Sequence, residues 1–194
     1  MPDPASKKKK YKIEFLCEGN IESFPWKDKF ETMARKLLAE EGTENNVNIV
    51  LCTDEFVREM NKNYRGLDKV TDVLSFEWHE EFPGEEEMLG EIYIARDQVK
   101  RQAPQYGNSF FAEMKRVIVH GLLHLSGYDH MKAADRKVMR ARECEFLGLD
   151  PYKDKESMEN GYKIQGDNHD ERTQMGLQVE IRRKLHAEQR DQSA

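Results

Sequence analysis

Three histidines lie close together in the stretch HGLLHLSGYDH, which spans residues 120 to 130. His120 and His124 are four residues apart, so on a helix their imidazoles share one face about one turn apart. Gly127 accepts the positive φ of a sharp turn, and such a turn brings His130 back toward that face. Three neutral imidazoles hold one metal ion and leave a position for water, which is typical of catalytic zinc. The spacing therefore predicts one Zn²⁺ with three histidine ligands and a water.

The same spacing occurs in HExxHxxGxxH, the metzincin signature of zinc peptidases, with one difference. A metzincin has a glutamate after its first histidine as general base, whereas this chain has Gly121. An activated water needs a proton acceptor, so the missing glutamate argues against a peptidase. Asp129 is adjacent to His130, and it either orients a ligating imidazole or caps the turn.

A second polar cluster lies in NKNYRGLDKVTDVLSF, residues 61 to 76, where a predicted helix ends and a strand follows. Its polar side chains are those of Arg65, Asp68, Thr71, Asp72 and Ser75. They either cap and pair with one another to hold the turn, or they place Arg65 in a cleft beside the metal. In the second case the guanidinium would bind a phosphate through two hydrogen bonds and stabilise a transferring phosphoryl group.

The elements that must position these residues begin with strands and helices in alternation. Strands are predicted at residues 11–17, 47–52, 71–78 and 91–95, and helices at 24–42, 54–64, 96–107, 109–126 and 132–148. Thr53 is a predicted N-cap. The order of strand, helix, strand, helix, two strands and then helices predicts a small α+β domain.

Composition and charge limit how the chain could bind nucleic acids and argue against a membrane-spanning or secreted protein. The net charge of −6 gives the 194-residue chain no overall attraction for nucleic acids. RNA contacts would need a local basic surface, and the candidates are Arg96, Lys100, Arg101 and the run Lys7–Lys10. No segment has the ~18 apolar residues of a membrane span, and the N-terminus lacks the apolar core of a signal peptide. Three widely spaced cysteines fit a reducing cytoplasm.

The chain is predicted to have three parts. Residues 1–10 form a lysine-rich arm that is expected to be disordered, and residues 11–150 form the folded domain. Residues 151–194 form a polar extension that is either a marginal helix or disordered. The sequence gives no indication of the oligomeric state.

The motifs together resemble the YbeY endoribonuclease family, also called rRNA maturation factors. HGLLHLSGYDH is similar to that family's HGxLHLxGYDH, NKNYRGLDKVTDVLSF to its N-x-x-YR-x-x-D-x-PTDVLSFP, and LGEIYIA to its LGDI strand. The resemblance covers residues 11 to 150. Val70 and Glu77 stand where the family often has proline, which changes backbone stiffness rather than chemistry.

The resemblance implies a zinc-dependent, single-strand-specific endoribonuclease of the cytoplasm. Its partners would be single-stranded ribosomal RNA and the ribosome or its small subunit, in 3′-end maturation and ribosome quality control. Carried over by position, His120, His124 and His130 are the zinc ligands and Arg65 is the catalytic arginine. The implied fold is a mixed sheet flanked by helices, with the zinc-binding helix beneath an open cleft.

The general base stays open between hydroxide on the zinc, a carboxylate such as that of Asp72, and the 2′-OH of the RNA. Two other functions compete with the nuclease. One is a metal-dependent peptidase, against which Gly121 argues. The other is a non-catalytic module that binds the ribosome and uses zinc as a structural ion; a fourth protein ligand at the metal would favour it.

Overall fold

The structure is a computed structural model that describes residues 11–78 and 88–149. The predicted lysine arm, the predicted C-terminal extension and the acidic loop at 79–87 lie outside these residues. His79, His169 and His186 lie outside them as well. No helix in residues 11–78 and 88–149 combines the length and the apolar character that crossing a membrane requires.

A four-stranded mixed sheet forms the centre of the described domain. Its strands are β1 (Ile13–Cys17), β2 (Asn46–Cys52), β3 (Val73–Glu77) and β4 (Met88–Ala95). The spatial order is β1-β2-β4-β3. β2 is parallel to both β1 and β4, whereas β3 pairs with β4 in the antiparallel direction. The predicted α+β class with a small mixed sheet is confirmed.

Within the described residues, five α-helices surround the sheet. They are α1 (Lys27–Glu41), α2 (Asp54–Arg65), α3 (Arg96–Gln102), α4 (Phe110–Leu125) and α5 (Ala133–Leu147). Thr53 caps α2 as predicted, because its hydroxyl accepts the backbone N–H of Phe56 at 3.3 Å. The helix predicted from Arg96 onward is shorter than expected. It passes into a 3₁₀ turn at Ala103–Tyr106 that contains Pro104, which has no N–H for an α-helical hydrogen bond.

The sheet buries both of its faces. On one face β2, β3 and β4 pack with α2, through residues that include Val50, Tyr93, Val57 and Met60. On the other face the strands pack with α1 and α4, through residues that include Ile49, Ile92, Leu37 and Leu122. α5 joins this second layer through Met139. α4 is therefore a largely buried helix, and its polar residues need partners inside the protein.

Candidate metal centre

The three predicted metal ligands come together at the end of α4. The possible ligand atoms of His120, His124 and His130 all lie within 4.8 Å of one another. The first two project from the last turns of α4, and the third comes from the loop after it. Gly127 has a φ of 88°, and this left-handed turn directs the chain back toward the helix. These residues are called the histidine centre below.

Hydrogen bonds fix the orientation of two of the rings. Nδ1 of His120 lies 2.6 Å from a carboxylate oxygen of Glu143, and Nδ1 of His124 lies 2.9 Å from the backbone oxygen of Tyr128. A carboxylate and a carbonyl only accept, so both Nδ1 atoms donate, and a ring in its neutral form then carries its lone pair on Nε2. The two Nε2 atoms are 3.1 Å apart. Converging lone pairs repel each other unless a cation lies between them, so the arrangement fits a metal ion.

Burial keeps the rings in the form that binds metal. Burial lowers the pKa of His124 well below its ordinary value, and the neighbouring His120 and His130 lower it further. Burial, with the neighbouring His120 as a further cause, also lowers the pKa of His130 to about 4. Both imidazoles are therefore neutral near pH 7, which metal ligation requires.

Glu143 is the partner that the sequence reasoning missed. It lies on α5, is 1% exposed, and accepts the hydrogen bond of His120 described above. A carboxylate behind a ligating histidine fixes its tautomer and raises its basicity toward the metal. The signal was present in the sequence, because Glu143 is four residues after the buried Met139 and therefore lies on the apolar face of its helix.

Arg65 lies at the end of α2 and is half-buried. Burial lowers the pKa of its guanidinium, and the nearby carboxylate of Asp72 opposes that shift. The charge of Arg65 in turn contributes to lowering the pKa of His124. The arginine thus stands within electrostatic range of both Asp72 and the histidine centre, although its helix packs on the other face of the sheet.

Asp72 belongs to a buried charge network (Asp72, Gln102, Glu113 and Arg116) beside the first turns of α4. Its Oδ2 atom accepts from the side chains of Gln102 at 2.8 Å and Arg116 at 3.4 Å. Gln102 also donates to Glu113 at 2.9 Å, and Arg116 donates to Glu113 at 2.6 Å. These bonds hold the carboxylate of Asp72 in a fixed position between α3 and α4. The network was not predicted from the sequence, apart from Asp72 itself.

Comparison with known proteins connects this geometry to a family. A sequence model described as endoribonuclease YbeY matches residues 13–149. The chain belongs to the endoribonuclease YbeY family. The family match covers every residue of the histidine centre, Arg65 and the charge network.

Individual YbeY relatives agree with this assignment. An endoribonuclease YbeY of Desulforamulus reducens is 44% identical over 129 residues, which is 61% of this chain and 84% of the relative. One of Bacillus velezensis is 36% identical over 145 residues, which is 70% of this chain and 92% of the relative. The solution structure of TM1509 from Thermotoga maritima has a TM-score of 0.51 at 29% identity and covers 70% of this chain and 87% of that one.

Gly121 marks the structural difference between this YbeY-family chain and a metzincin peptidase. A Cβ atom at this position would lie 2.8 Å from Cγ2 of Ile92 on β4 and 3.1 Å from Oγ of Ser75 on β3. Helix α4 approaches the sheet so closely that a side chain here would force Ile92 to shift. A glutamate general base does not fit at this position, which gives a physical reason to reject the peptidase. Ser75 itself is half-buried against this glycine.

Asp129 favours the capping alternative. One of its carboxylate oxygens accepts the backbone N–H of His130 at 2.6 Å and that of Met131 at 3.1 Å. These bonds hold the turn that carries the third histidine. The neighbouring Tyr128 donates its hydroxyl to Glu41 at 3.0 Å and packs against the core. Both residues therefore shape the loop of this YbeY-family centre.

The basic residues that the sequence suggested for RNA binding are mostly occupied. Arg96 forms an ion pair with Asp97 at 2.9 Å, and Arg101 pairs with Asp54 and also donates to Gln98. Lys100 is exposed, and the run Lys7–Lys10 lies outside the described residues. The two arginines are thus tied to carboxylates on α2 and α3, and neither is a free phosphate ligand.

Proposed function

We propose that this chain is a zinc-dependent endoribonuclease that cleaves single-stranded RNA at the histidine centre. The observation that carries the proposal is the pair of converging Nε2 atoms at 3.1 Å, in a chain of the endoribonuclease YbeY family. Two orientated lone pairs and a third imidazole are suited to Zn²⁺, which accepts nitrogen ligands in a tetrahedral site. No fourth histidine, cysteine or carboxylate of residues 11–78 and 88–149 completes this cluster.

Each residue of the centre has a separate task in this proposal. His120, His124 and His130 would hold the Zn²⁺, with Glu143 orienting His120 and the turn at Asp129 holding His130. Zinc at such a site supplies Lewis-acid chemistry toward a phosphate oxygen and lowers the pKa of water. Both effects would favour hydrolysis of a phosphodiester near neutral pH.

Arg65 is proposed as the catalytic arginine that binds the scissile phosphate. Its guanidinium offers two parallel N–H donors to phosphate oxygens and offsets the charge that develops during cleavage. Asp72 acts through Arg65 in this proposal. Its charge favours the protonated guanidinium despite burial, while Gln102 and Arg116 keep the carboxylate in place. We therefore assign Asp72 a positioning role and not that of the general base.

The proposed cellular role follows the family. The matched region covers nearly the whole described domain, so we propose ribosomal RNA as the substrate, maturation of the small-subunit 3′ end as the process, and ribosome quality control as a second task. All three cysteines are free thiols, which is in keeping with a cytoplasmic location.

The test is a gel assay of single-stranded ribosomal RNA cleavage with metal-loaded, metal-stripped and zinc-restored protein. Arg65→Ala is run in parallel with Arg58→Ala. Arg58 is a matched control because it lies on the same helix but is exposed and pairs with Asp68 at 2.7 Å. We expect RNA cleavage to be lost when zinc is removed and to return when zinc is restored. The cleavage rate should fall about 10²- to 10³-fold in Arg65→Ala and stay near that of wild type in Arg58→Ala.

Other outcomes point elsewhere. A cleavage rate that is unchanged by removal of the metal and by Arg65→Ala would indicate a contaminating nuclease. Zinc-loaded protein that binds small subunits but never cleaves RNA, alone or on the subunit, would favour the non-catalytic ribosome-binding module. Wild-type cleavage by Arg65→Ala would make this arginine a structural residue.

A further inference from the structure

Helix α5 lies along the histidine centre. Arg136, in its first turn, donates its Nε–H to the backbone oxygen of His130 at 3.0 Å. Two turns later Glu143 contacts His120 at 2.6 Å. The exposed side of the first half of α5 therefore adjoins the proposed site of RNA cleavage.

This part of the chain is basic although the protein is acidic. Between Met131 and Ala141 there are four basic residues and one acidic residue, against a net charge of −6 for the whole chain. Lys132 and Lys137 are exposed, and neither forms an ion pair with any residue that the structure describes. Arg142, further along the same helix, is by contrast tied to Glu40, Glu41 and Glu145.

Positive charge thus reaches the histidine centre from two sides. Arg136 bonds to the backbone oxygen of His130 at 3.0 Å, and Arg65 lies at the end of α2, which packs on the other face of the sheet. A phosphodiester chain that contacts Arg65 at the metal centre would meet the cations of α5 as it continues across the histidines. Phosphate charges spaced along a single strand complement such a row of lysine and arginine side chains.

We propose that the basic face of α5 (Lys132, Arg136 and Lys137) binds the backbone of single-stranded RNA next to the metal centre. The proposal rests on the proposed endoribonuclease function and adds the path of its substrate. The residues of α5 take the RNA-binding role that the sequence suggested for Arg96 and Arg101, because the charges of those two arginines are paired with carboxylates. Arg136 has a second task here, because it also holds the loop of His130.

The test compares two double variants of the full-length, zinc-loaded protein. Lys132→Gln/Lys137→Gln removes two charges from the basic face. Lys27→Gln/Lys100→Gln removes two from exposed lysines elsewhere, which form no ion pair with described residues. Lys100 lies away from the histidine centre, because it follows the carboxyl end of β4. The histidines lie near the other end of that strand, where Leu125, next to His124, packs against Gly90. Equal net charge in both variants separates a local effect from a global one.

The readout is the fluorescence anisotropy of a labelled 2′-O-methyl oligouridine, checked on a gel to be intact, at several salt concentrations. We expect the α5 variant to bind about tenfold more weakly and its salt slope to fall by about 1.4, since each lost phosphate contact on a single strand contributes ~0.7. The control variant should bind like wild type. Circular dichroism and zinc content verify that both variants are folded and loaded.

The possible failures are distinguishable. If the α5 variant binds with wild-type affinity and salt slope, or loses no more affinity than the control, the basic face is not the RNA path. Absence of binding by the wild type also overturns it. If wild type binds and the α5 variant is selectively weakened, but no variant cleaves ribosomal RNA, the inference stands and the proposed nuclease function fails.

Discussion

Helix α4 carries two buried polar clusters, and they differ in how their hydrogen bonds are satisfied. In the charge network, Glu113 and Arg116 face each other at 2.6 Å, and Gln102 donates to both Glu113 and Asp72. In the histidine centre, one turn further on, Nε2 of His120 and Nε2 of His124 face each other at 3.1 Å, and the side chain of His130 completes a group of three possible metal ligands. The first cluster pairs opposite charges, whereas the second brings together three imidazoles that could hold a metal ion.

One helix thus carries a cluster that stabilises the packing, the charge network, and a cluster suited to binding metal, the histidine centre. Buried opposite charges that satisfy one another fix how α3, α4 and the start of β3 pack. Buried imidazoles grouped within ligand distance of one another can gain much from a bound cation, because metal binding in the folded state adds to its free energy. Damage to the charge network should therefore appear in stability, and damage to the histidine centre should appear in metal affinity.

The largest effect is expected from Glu113→Ala. This change leaves the buried Arg116 without its closest carboxylate, so the free energy of unfolding should fall by about 3–5 kcal/mol. Urea denaturation measures the change. Glu113→Gln is the matched control, because the amide keeps an acceptor for Arg116 and should cost less. A loss below about 1 kcal/mol in Glu113→Ala would mean that the network is not the scaffold described here.

His124→Ala should have the opposite signature. Removing a direct ligand should weaken zinc binding by more than about a hundredfold, since even a partner behind a ligand typically changes affinity 10- to 100-fold. Chelator competition measures the affinity, and the thermal shift on adding zinc should disappear. His186→Ala, outside the described residues, serves as the control. Full zinc occupancy in His124→Ala would refute the three-histidine site.

Glu143→Gln sharpens the comparison, because Glu143 is a buried carboxylate that hydrogen-bonds to His120 and also acts electrostatically on Arg116 of the charge network. The amide still accepts from Nδ1 of His120 but has no charge, so zinc affinity should fall about 10-fold, with up to about 100-fold for Glu143→Ala. Glu145→Gln on the same helix is the control, since that residue is exposed and pairs with Arg142 at 3.0 Å. Unchanged affinity in Glu143→Ala would reduce this residue to a packing role.

The smallest effect is expected from Asp129→Ala. The change removes the acceptor for the N–H groups of His130 and Met131, and a lost cap of this kind costs about 1 kcal/mol. Because the cap holds the loop of the third ligand, zinc affinity should fall about fivefold by the same free energy. Asp129→Asn keeps the acceptor and should behave nearly as wild type. A drop as large as that of His124→Ala would instead make Asp129 a ligand.

Local patterns in the sequence were sufficient for most of the fold. Apolar periodicity placed the four strands and five helices in the right order, with ends shifted by a few residues, and the capping role of Thr53 was predictable because a cap contacts only the next turn. The break of α3 into a 3₁₀ turn at Pro104 was missed.

The histidine spacing belongs to the same class of local information. A helix fixes residues four apart on one face, and Gly127 fixes the turn after it, so the spacing alone was enough to group His120, His124 and His130. The sequence by itself thus determined the class of the fold, the candidate ligands and the kind of metal that they suit.

Only the tertiary structure decided what surrounds those ligands. Glu143 reaches His120 across 23 residues of sequence, and Arg116 reaches Asp72 across 44. It also showed that a side chain at Gly121 would crowd Ile92, and that Arg136 of α5, not an arginine of α3, lies beside the histidines. The physical reason is that hydrogen bonds within a turn depend on spacing along the chain, whereas contacts between elements depend on how whole faces pack together.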